Sequence, residues 1–289
     1  MLRSCPFGCR PVRWAPSLIG LSPNPSESSP LKPHRQLDGY FPAKQGPYLF
    51  ETGRPEARAT QIGARLTIAV VGDVLFHDRR DAGRVLARAI VEAHLPSLQN
   101  AIVLGLVRGG VPVAFEVAIA LGVRLDVIVV RKIGAPANPE YAMGAVASGG
   151  TLVLNPEAVR DLGVSEETLR HIIEQQMKEI ERLENLYRQG RPVVEFGESG
   201  VILVDDGLAT GASMRAAVRA VRTQARRVIV AVPVAARSTC DELSREVDHV
   251  VSAAMPDPLE AVSLFYREFG PTSDAEVEWL LAEARKFVP

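Results

Sequence analysis

The chain has 289 residues, 33 Lys and Arg against 34 Asp and Glu, a formal net charge of −1 and 47% apolar residues. That balance argues against a dedicated nucleic-acid binder, whose domain is strongly basic, and the apolar share suits a globular protein with a real core. Three cysteines cannot make a disulfide framework and suit a reducing compartment.

No apolar run approaches the roughly 18 to 20 residues that span a bilayer. "VPVAFEVAIALGV" (111–123) comes nearest, and Glu116 interrupts it. The expectation is a soluble, cytoplasmic protein with no membrane and no nucleic acid among its partners. Cys5 and Cys9 lack a second pair or a nearby histidine pair, so they read as incidental thiols rather than a metal site.

Residues 1–65 are rich in Pro, Ser, Gly and Arg and show no helix or strand period. A stretch such as "LIGLSPNPSESSPLKPHRQ" cannot bury enough apolar surface to offset the entropy of ordering it, so a disordered tail is expected there. A transit peptide and translated upstream sequence ahead of a start near residue 70 both fit, and the sequence leaves the two open. Residues 72–289 are expected to form one domain.

Beyond the tail the pattern becomes regular. Ala82, Val85, Leu86, Ala89, Ile90 and Ala93 fall on one face of a helix over 78–95. "AIVLGL" (101–106) is a buried strand entering the glycine turn "VRGGVP", and a helix follows over 112–121. "LDVIVV" (125–130) is a second buried strand that ends at Arg131 and Lys132. Residues 143–155 read as a hairpin with Gly149-Gly150 at its turn. Ser165 caps a helix with Glu166 and Glu167 in the first turn, and Leu169, Ile173, Met177, Ile180, Leu183 and Tyr187 form its apolar stripe. There follow a strand at 201–204, a helix over 213–223, a strand over 227–234, a helical piece at 237–245, a strand near 249–254 and a last helix over 274–286.

Short apolar strands alternating with helices imply βαβ units and a mainly parallel sheet. Ligands in such sheets bind outside the carboxyl ends of the strands. Three strand ends carry unusual chemistry: Val107 to Gly110, Arg131-Lys132, and Asp205 to Ser213. The fold would gather them along one edge.

The stretch "VILVDDGLATGAS" (201–213) has a small-residue loop leading into a helix N-terminus. Backbone N–H groups there form an anion cradle, and Gly207, Gly211 and Ala212 permit a close approach. Thr210 and Ser213 add hydroxyl donors. The Gly-Lys-Ser/Thr ending of a Walker loop is absent, and Asp205 and Asp206 stand where a dinucleotide fingerprint would begin its glycines. Ionised aspartates accept hydrogen bonds and cannot donate them. They suit the hydroxyls of a sugar that carries the phosphate, with a divalent cation nearby.

At these residues the chain resembles the type I phosphoribosyltransferases. "VILVDDGLATGAS" resembles their phosphoribosyl-pyrophosphate signature, "LVRGG" stands in the place of their pyrophosphate loop, and "VVRKIGAP" is similar to a strand end and flexible loop of the adenine phosphoribosyltransferases. The resemblance covers about residues 78–270, and the overall similarity lies with uncharacterised members, so it stops short of a substrate.

The resemblance implies an α/β fold with a mainly parallel central sheet flanked by helices and a small hood. It also implies transfer of the 5-phosphoribosyl group to a nitrogenous base or similar nucleophile, as in nucleotide salvage, with release of pyrophosphate. Asp205 and Asp206 would hold the ribose hydroxyls. Gly207, Leu208, Ala209, Thr210, Gly211, Ala212 and Ser213 would hold the 5-phosphate, and Arg108, Gly109 and Gly110 the pyrophosphate. Arg131 and Lys132 would add positive charge. Asp205, Asp206, Arg108 and Lys132 would be the catalytic group. Magnesium would be held largely without direct protein ligands, with Asp205 in reach through water. The partners implied are phosphoribosyl pyrophosphate and a small-molecule acceptor, and a homodimer is left open. The alternative is a non-catalytic binder of phosphoribosyl pyrophosphate or nucleotides that regulates a partner.

Two departures bear on the substrate. Ala209 stands where oxopurine enzymes of the family carry an acidic residue, which makes hypoxanthine or guanine a poorer guess. Val107 stands where related sequences often have proline. For the acceptor pocket the candidates are the 133–150 segment, with Glu140 and Tyr141 in an expected loop, and the region of Phe265 and Tyr266. Arg215, Arg219 and Arg222 read as a solvated stripe. His77 and His249 have no nucleophile to pair with, and no G-x-S-x-G elbow is present.

Overall fold

The structure is a computed structural model that describes residues 59–62, 66–69, 76–95, 98, 100–191 and 200–287, all within the unit Lys44–Pro289. Cys5, Cys9 and most of the expected tail lie outside the described residues.

The first described elements are two short strands, β1 (Ala59–Ile62) and β2 (Leu66–Ala69). β1 falls inside the stretch expected to be a tail, so at 59–62 that expectation is corrected: a strand forms there. α1 (Arg79–Glu92) follows, capped by Asp78, whose side chain accepts from the Asp81 N–H. β3 (Ile102–Leu106) is buried along its whole length, and α2 (Gly110–Leu121) ends at Gly122 with φ 64°. β4 (Arg124–Ile128) comes next.

Here the structure corrects the sequence reading. Residues 125–130 are not one strand. β4 stops at Ile128, and β5 (Val130–Ala135) leaves for a different sheet. β5 pairs antiparallel with β6 (Asn138–Ala147), which pairs antiparallel with β7 (Thr151–Leu154). The expected loop around Glu140 and Tyr141 is therefore a β-strand. Tyr141 is half-exposed on it, and the Glu140 side chain lies outside the described residues. Gly149 (φ 78°) and Gly150 (φ 76°) make the turn before β7, as their freedom at positive φ requires. Next come α3 (Pro156–Asp161) and α4 (Glu166–Arg188). The Ser165 hydroxyl caps α4 by accepting from the Thr168 N–H.

The remaining chain runs β8 (Gly200–Val204), α5 (Ala212–Arg222), β9 (Arg227–Val234), α6 (Arg237–Leu243), β10 (His249–Ala254) and α7 (Asp274–Ala284). The large sheet has the order β1-β2-β10-β9-β8-β3-β4. Every pairing in it is parallel except β1 with β2. Burial on both faces explains the unbroken apolar runs of β3, β8 and β9.

The strand order positions the site. From β3 the chain steps outward to β4 on one side, then returns to place β8, β9 and β10 on the other. The switch point lies between β3 and β8, where outgoing connections diverge and leave a crevice at the carboxyl ends. The two glycine loops follow these two strands. The small sheet β5-β6-β7 packs against α4 and α5 and forms the separate antiparallel piece expected as a hood.

The stripe of Arg215, Arg219 and Arg222 lies at the surface, with Arg219 and Arg222 exposed, and two of its members make ion pairs there. Arg215 pairs with Glu242 and, at 3.4 Å, with Glu246, and Arg222 pairs with Asp248 at 2.6 Å. They tie α5 to α6 and to the chain beyond it.

Candidate active site

β8 delivers Asp205 and Asp206 to the sheet edge. Asp205 Oδ1 accepts the Asp206 N–H at 2.9 Å, which turns the chain and tucks the first carboxylate inward. Asp206 Oδ2 accepts from Arg79 Nε at 2.8 Å. The Arg79 Nη1 group donates to the Gly270 carbonyl at 2.6 Å, and the guanidinium lies 3.9 Å from the centre of the Phe269 ring. The Tyr266 hydroxyl donates to the Asp206 carbonyl at 2.5 Å. Tyr266 is buried between Phe76 and Phe269, with ring centroids 5.3 and 4.9 Å away. It is therefore a support beneath Asp206 rather than an exposed stacking platform. Phe265 packs in the same aromatic cluster.

Burial, first, and the neighbouring Asp206 charge, second, push the Asp205 carboxyl well above the usual carboxylate range; the Asp206 N–H and Arg79 act against this. Burial also raises Asp206, opposed by the hydrogen bond and charge of Arg79. Both aspartates are therefore held in a setting that resists their negative charge until a compensating group arrives.

The 207–213 loop is anchored at its middle and open at its rim. The Leu208 N–H donates to the Val234 carbonyl, and the Leu208 carbonyl accepts from the Ala236 N–H, so the loop hangs on the end of β9. Thr239 Oγ1 donates to the Ala209 carbonyl at 2.5 Å. Gly211 caps α5 with φ 74° and, having no side chain, makes no side-chain cap hydrogen bond. Ala209, Thr210, Ala212 and Ser213 are exposed there.

Gly109 and Gly110, after β3, abut the end of β8 and its two aspartates directly. A Cβ on Gly110 would stand 2.6 Å from the Val204 carbonyl oxygen and 2.9 Å from Asp205 Cα. The Val107–Arg108 peptide is cis. The Arg108 guanidinium is half-exposed and lies 3.7 Å from Asp274 Oδ1, at the start of α7. Asp274 also accepts the Tyr187 hydroxyl at 2.6 Å.

Arg131 and Lys132 are successive on β5, so their side chains point to opposite faces. Arg131 Nε donates to Gln176 Oε1 of α4 at 3.1 Å. Both are exposed. A groove of about 430 Å³ lies between the 146–150 turn and α4; Val146, Ala147, Gly149 and Gly150 of the 133–150 segment line it, and none of the residues expected to hold the phosphate, sugar or pyrophosphate does.

The sequence reading missed Arg79, Phe269, Thr239 and Asp274. No local spacing marks them. The Arg79 contacts cross 127 and 191 residues.

The architecture is that of the type I phosphoribosyltransferase fold. The chain belongs to the phosphoribosyl transferase domain family, whose model matches residues 76–260. It is similar to TT1426 of Thermus thermophilus, known from a crystal structure, with 44% identity and a TM-score of 0.62 over 72% of this chain and 98% of that one. Two Mycobacterium tuberculosis proteins, MT0597 and Rv0571c, each named provisionally as a phosphoribosyl transferase, are 40% identical over 213 residues, which is 73% of this chain and 47% of theirs. The chain thus spans about half the length of these curated relatives. Among the described residues no helix is long and apolar enough to cross a membrane.

Proposed function

We propose that the protein transfers the 5-phosphoribosyl group of phosphoribosyl pyrophosphate to a nitrogen nucleophile and releases pyrophosphate. Family membership supports the broad class. The observation that carries the finer reading is the contact of the Gly109–Gly110 turn with Asp205 and Asp206, which makes two loops one divided site.

In this reading Asp205 and Asp206 accept from the two ribose hydroxyls. The amides at the start of α5, with the Thr210 and Ser213 hydroxyls, hold the 5-phosphate. Arg108 swings from Asp274 to the pyrophosphate, beside the Gly109 and Gly110 amides. Lys132 adds charge from β5, whereas Arg131 is turned toward α4. Positive charge at the departing pyrophosphate counts most in the transition state, where negative charge grows.

Asp206 is paired with Arg79, whereas burial and the neighbouring Asp206 disfavour the charged form of Asp205, a setting that a divalent cation beside it would relieve. When bound, magnesium would offset the negative charge of the pyrophosphate, and Asp205 would hold it through water. Ala209, small and exposed at the rim, offers no base to an oxopurine. That favours acceptors that need no carboxylate at this point.

The test is a screen of nucleobases with phosphoribosyl pyrophosphate and magnesium, following pyrophosphate release and, in parallel, ligand binding by calorimetry. Turnover with at least one base is expected. Tight binding without turnover on any base would favour the non-catalytic regulator instead.

A further inference from the structure

Asp206 is gripped at both ends by chain from far away. Tyr266 holds its carbonyl at 2.5 Å, and Arg79 holds its carboxylate at 2.8 Å. Arg79 is in turn fixed by the Gly270 carbonyl and the Phe269 ring, and only 12% of its side chain is exposed. A guanidinium can stack on a ring and use its edge for hydrogen bonds at once, which an ammonium cannot do. On the other side, a Cβ on Gly109 would stand 2.3 Å from Asp206 Oδ2 and 3.4 Å from Arg79 Nε, so the ion pair borders the glycine turn after β3.

We propose that Arg79 is a positioning residue: it aims the Asp206 carboxylate into the crevice from a fixed mount formed by residues 266–270. The inference rests on the ribose role proposed for Asp206. Arg79 occupies Oδ2, and in this proposal Oδ1 accepts from a sugar hydroxyl. Arg79 itself does not touch the ligand. Its effect should therefore appear in the binding of the sugar and not in that of free pyrophosphate, and it should vanish once the Asp206 charge is gone.

The experiment measures dissociation constants for phosphoribosyl pyrophosphate and for inorganic pyrophosphate, both with magnesium, by calorimetry. The proteins are the full chain, Arg79→Gln, Arg79→Lys, Asp206→Asn and the double variant Arg79→Gln/Asp206→Asn. Arg79→Gln should weaken phosphoribosyl pyrophosphate about tenfold and pyrophosphate less than about twofold. In the Asp206→Asn background the same change should cost less than about twofold, the sign of a shared interaction. Arg79→Lys should fall between parent and Arg79→Gln. Should Arg79→Gln fail to fold, Phe269→Leu removes the ring beneath the guanidinium and should give a smaller loss with the same selectivity. Equal weakening of both ligands, or an undiminished cost in the Asp206→Asn background, would overturn the inference and leave the function reading standing. A parent chain that binds pyrophosphate but not phosphoribosyl pyrophosphate would overturn both.

Discussion

Gly109 and Asp206 are packed so closely that the glycine has no room for a side chain: a Cβ there would stand 2.3 Å from Asp206 Oδ2. The obstacle is a carboxylate oxygen held by Arg79, so making room disturbs that ion pair. Gly109→Ala should therefore cost stability, about 2 kcal/mol, while phosphoribosyl pyrophosphate affinity falls at least about tenfold because Asp206 is displaced. Gly110 is different, because its Cβ would meet backbone, the Val204 carbonyl oxygen at 2.6 Å and Asp205 Cα at 2.9 Å. Gly110→Ala should cost about 3 kcal/mol, at the upper end for overpacking. Urea denaturation and calorimetry on the two variants separate the cases.

Gly207 faces a side chain that can be trimmed. Its Cβ would stand 2.3 Å from Val262 Cγ1 and 2.6 Å from Cγ2. Gly207→Ala alone should weaken ligand binding. Adding Val262→Ala should restore most of the loss, and a double variant no better than the single one would refute the steric account.

Tyr266→Phe removes one buried hydroxyl and leaves the Asp206 carbonyl without its donor. A loss of about 1 kcal/mol is expected, read as a lower urea midpoint with an unchanged slope.

The aspartate pair predicts a pH dependence of stability. Burial raises both carboxyls in the folded chain above their unfolded values. The folded state therefore keeps protons that the unfolded state has lost, and this favours folding at low pH. The advantage is lost as pH rises through the raised folded-state values. Asp205→Asn cannot ionise, yet it keeps an oxygen for the Asp206 N–H. It should be more stable than the parent at pH 7, and the difference should shrink toward zero near about pH 4. A constant difference across that range would rule out this cause.

The parts of the molecule legible in sequence are those governed by local chemistry. The Ser165 cap, the Gly149-Gly150 turn and the glycine cradle before α5 each follow from residues within a few positions of one another. The sheet was legible because strands buried on both faces leave unbroken apolar runs. Misreadings occurred where the same local signal has two outcomes. Residues 125–130 look like one apolar strand, and only the tertiary structure shows β4 ending at Ile128 and β5 departing at Val130. Tyr266 and Phe265 offered no means of telling a stacking ring from a packed one. Arg79 was invisible for a different reason: its partners are Asp206 and Gly270, and no spacing rule reaches them.

The mount at residues 266–270 lies beyond residue 260, where the family match ends, and Arg79 stands near the beginning of that match. Asp206, inside the match, is therefore held both by Arg79 from its start and by Tyr266 from beyond its end. A ribosome makes the chain from one end, so the glycine loops and both aspartates leave the exit tunnel before Tyr266, Phe269 and Gly270 have been translated. Until then Asp206 lacks the contacts from the strap. Ligand binding should thus be acquired late in synthesis, after most of the sheet can form, and a nascent chain halted near residue 260 would carry the whole signature motif without its finished grip.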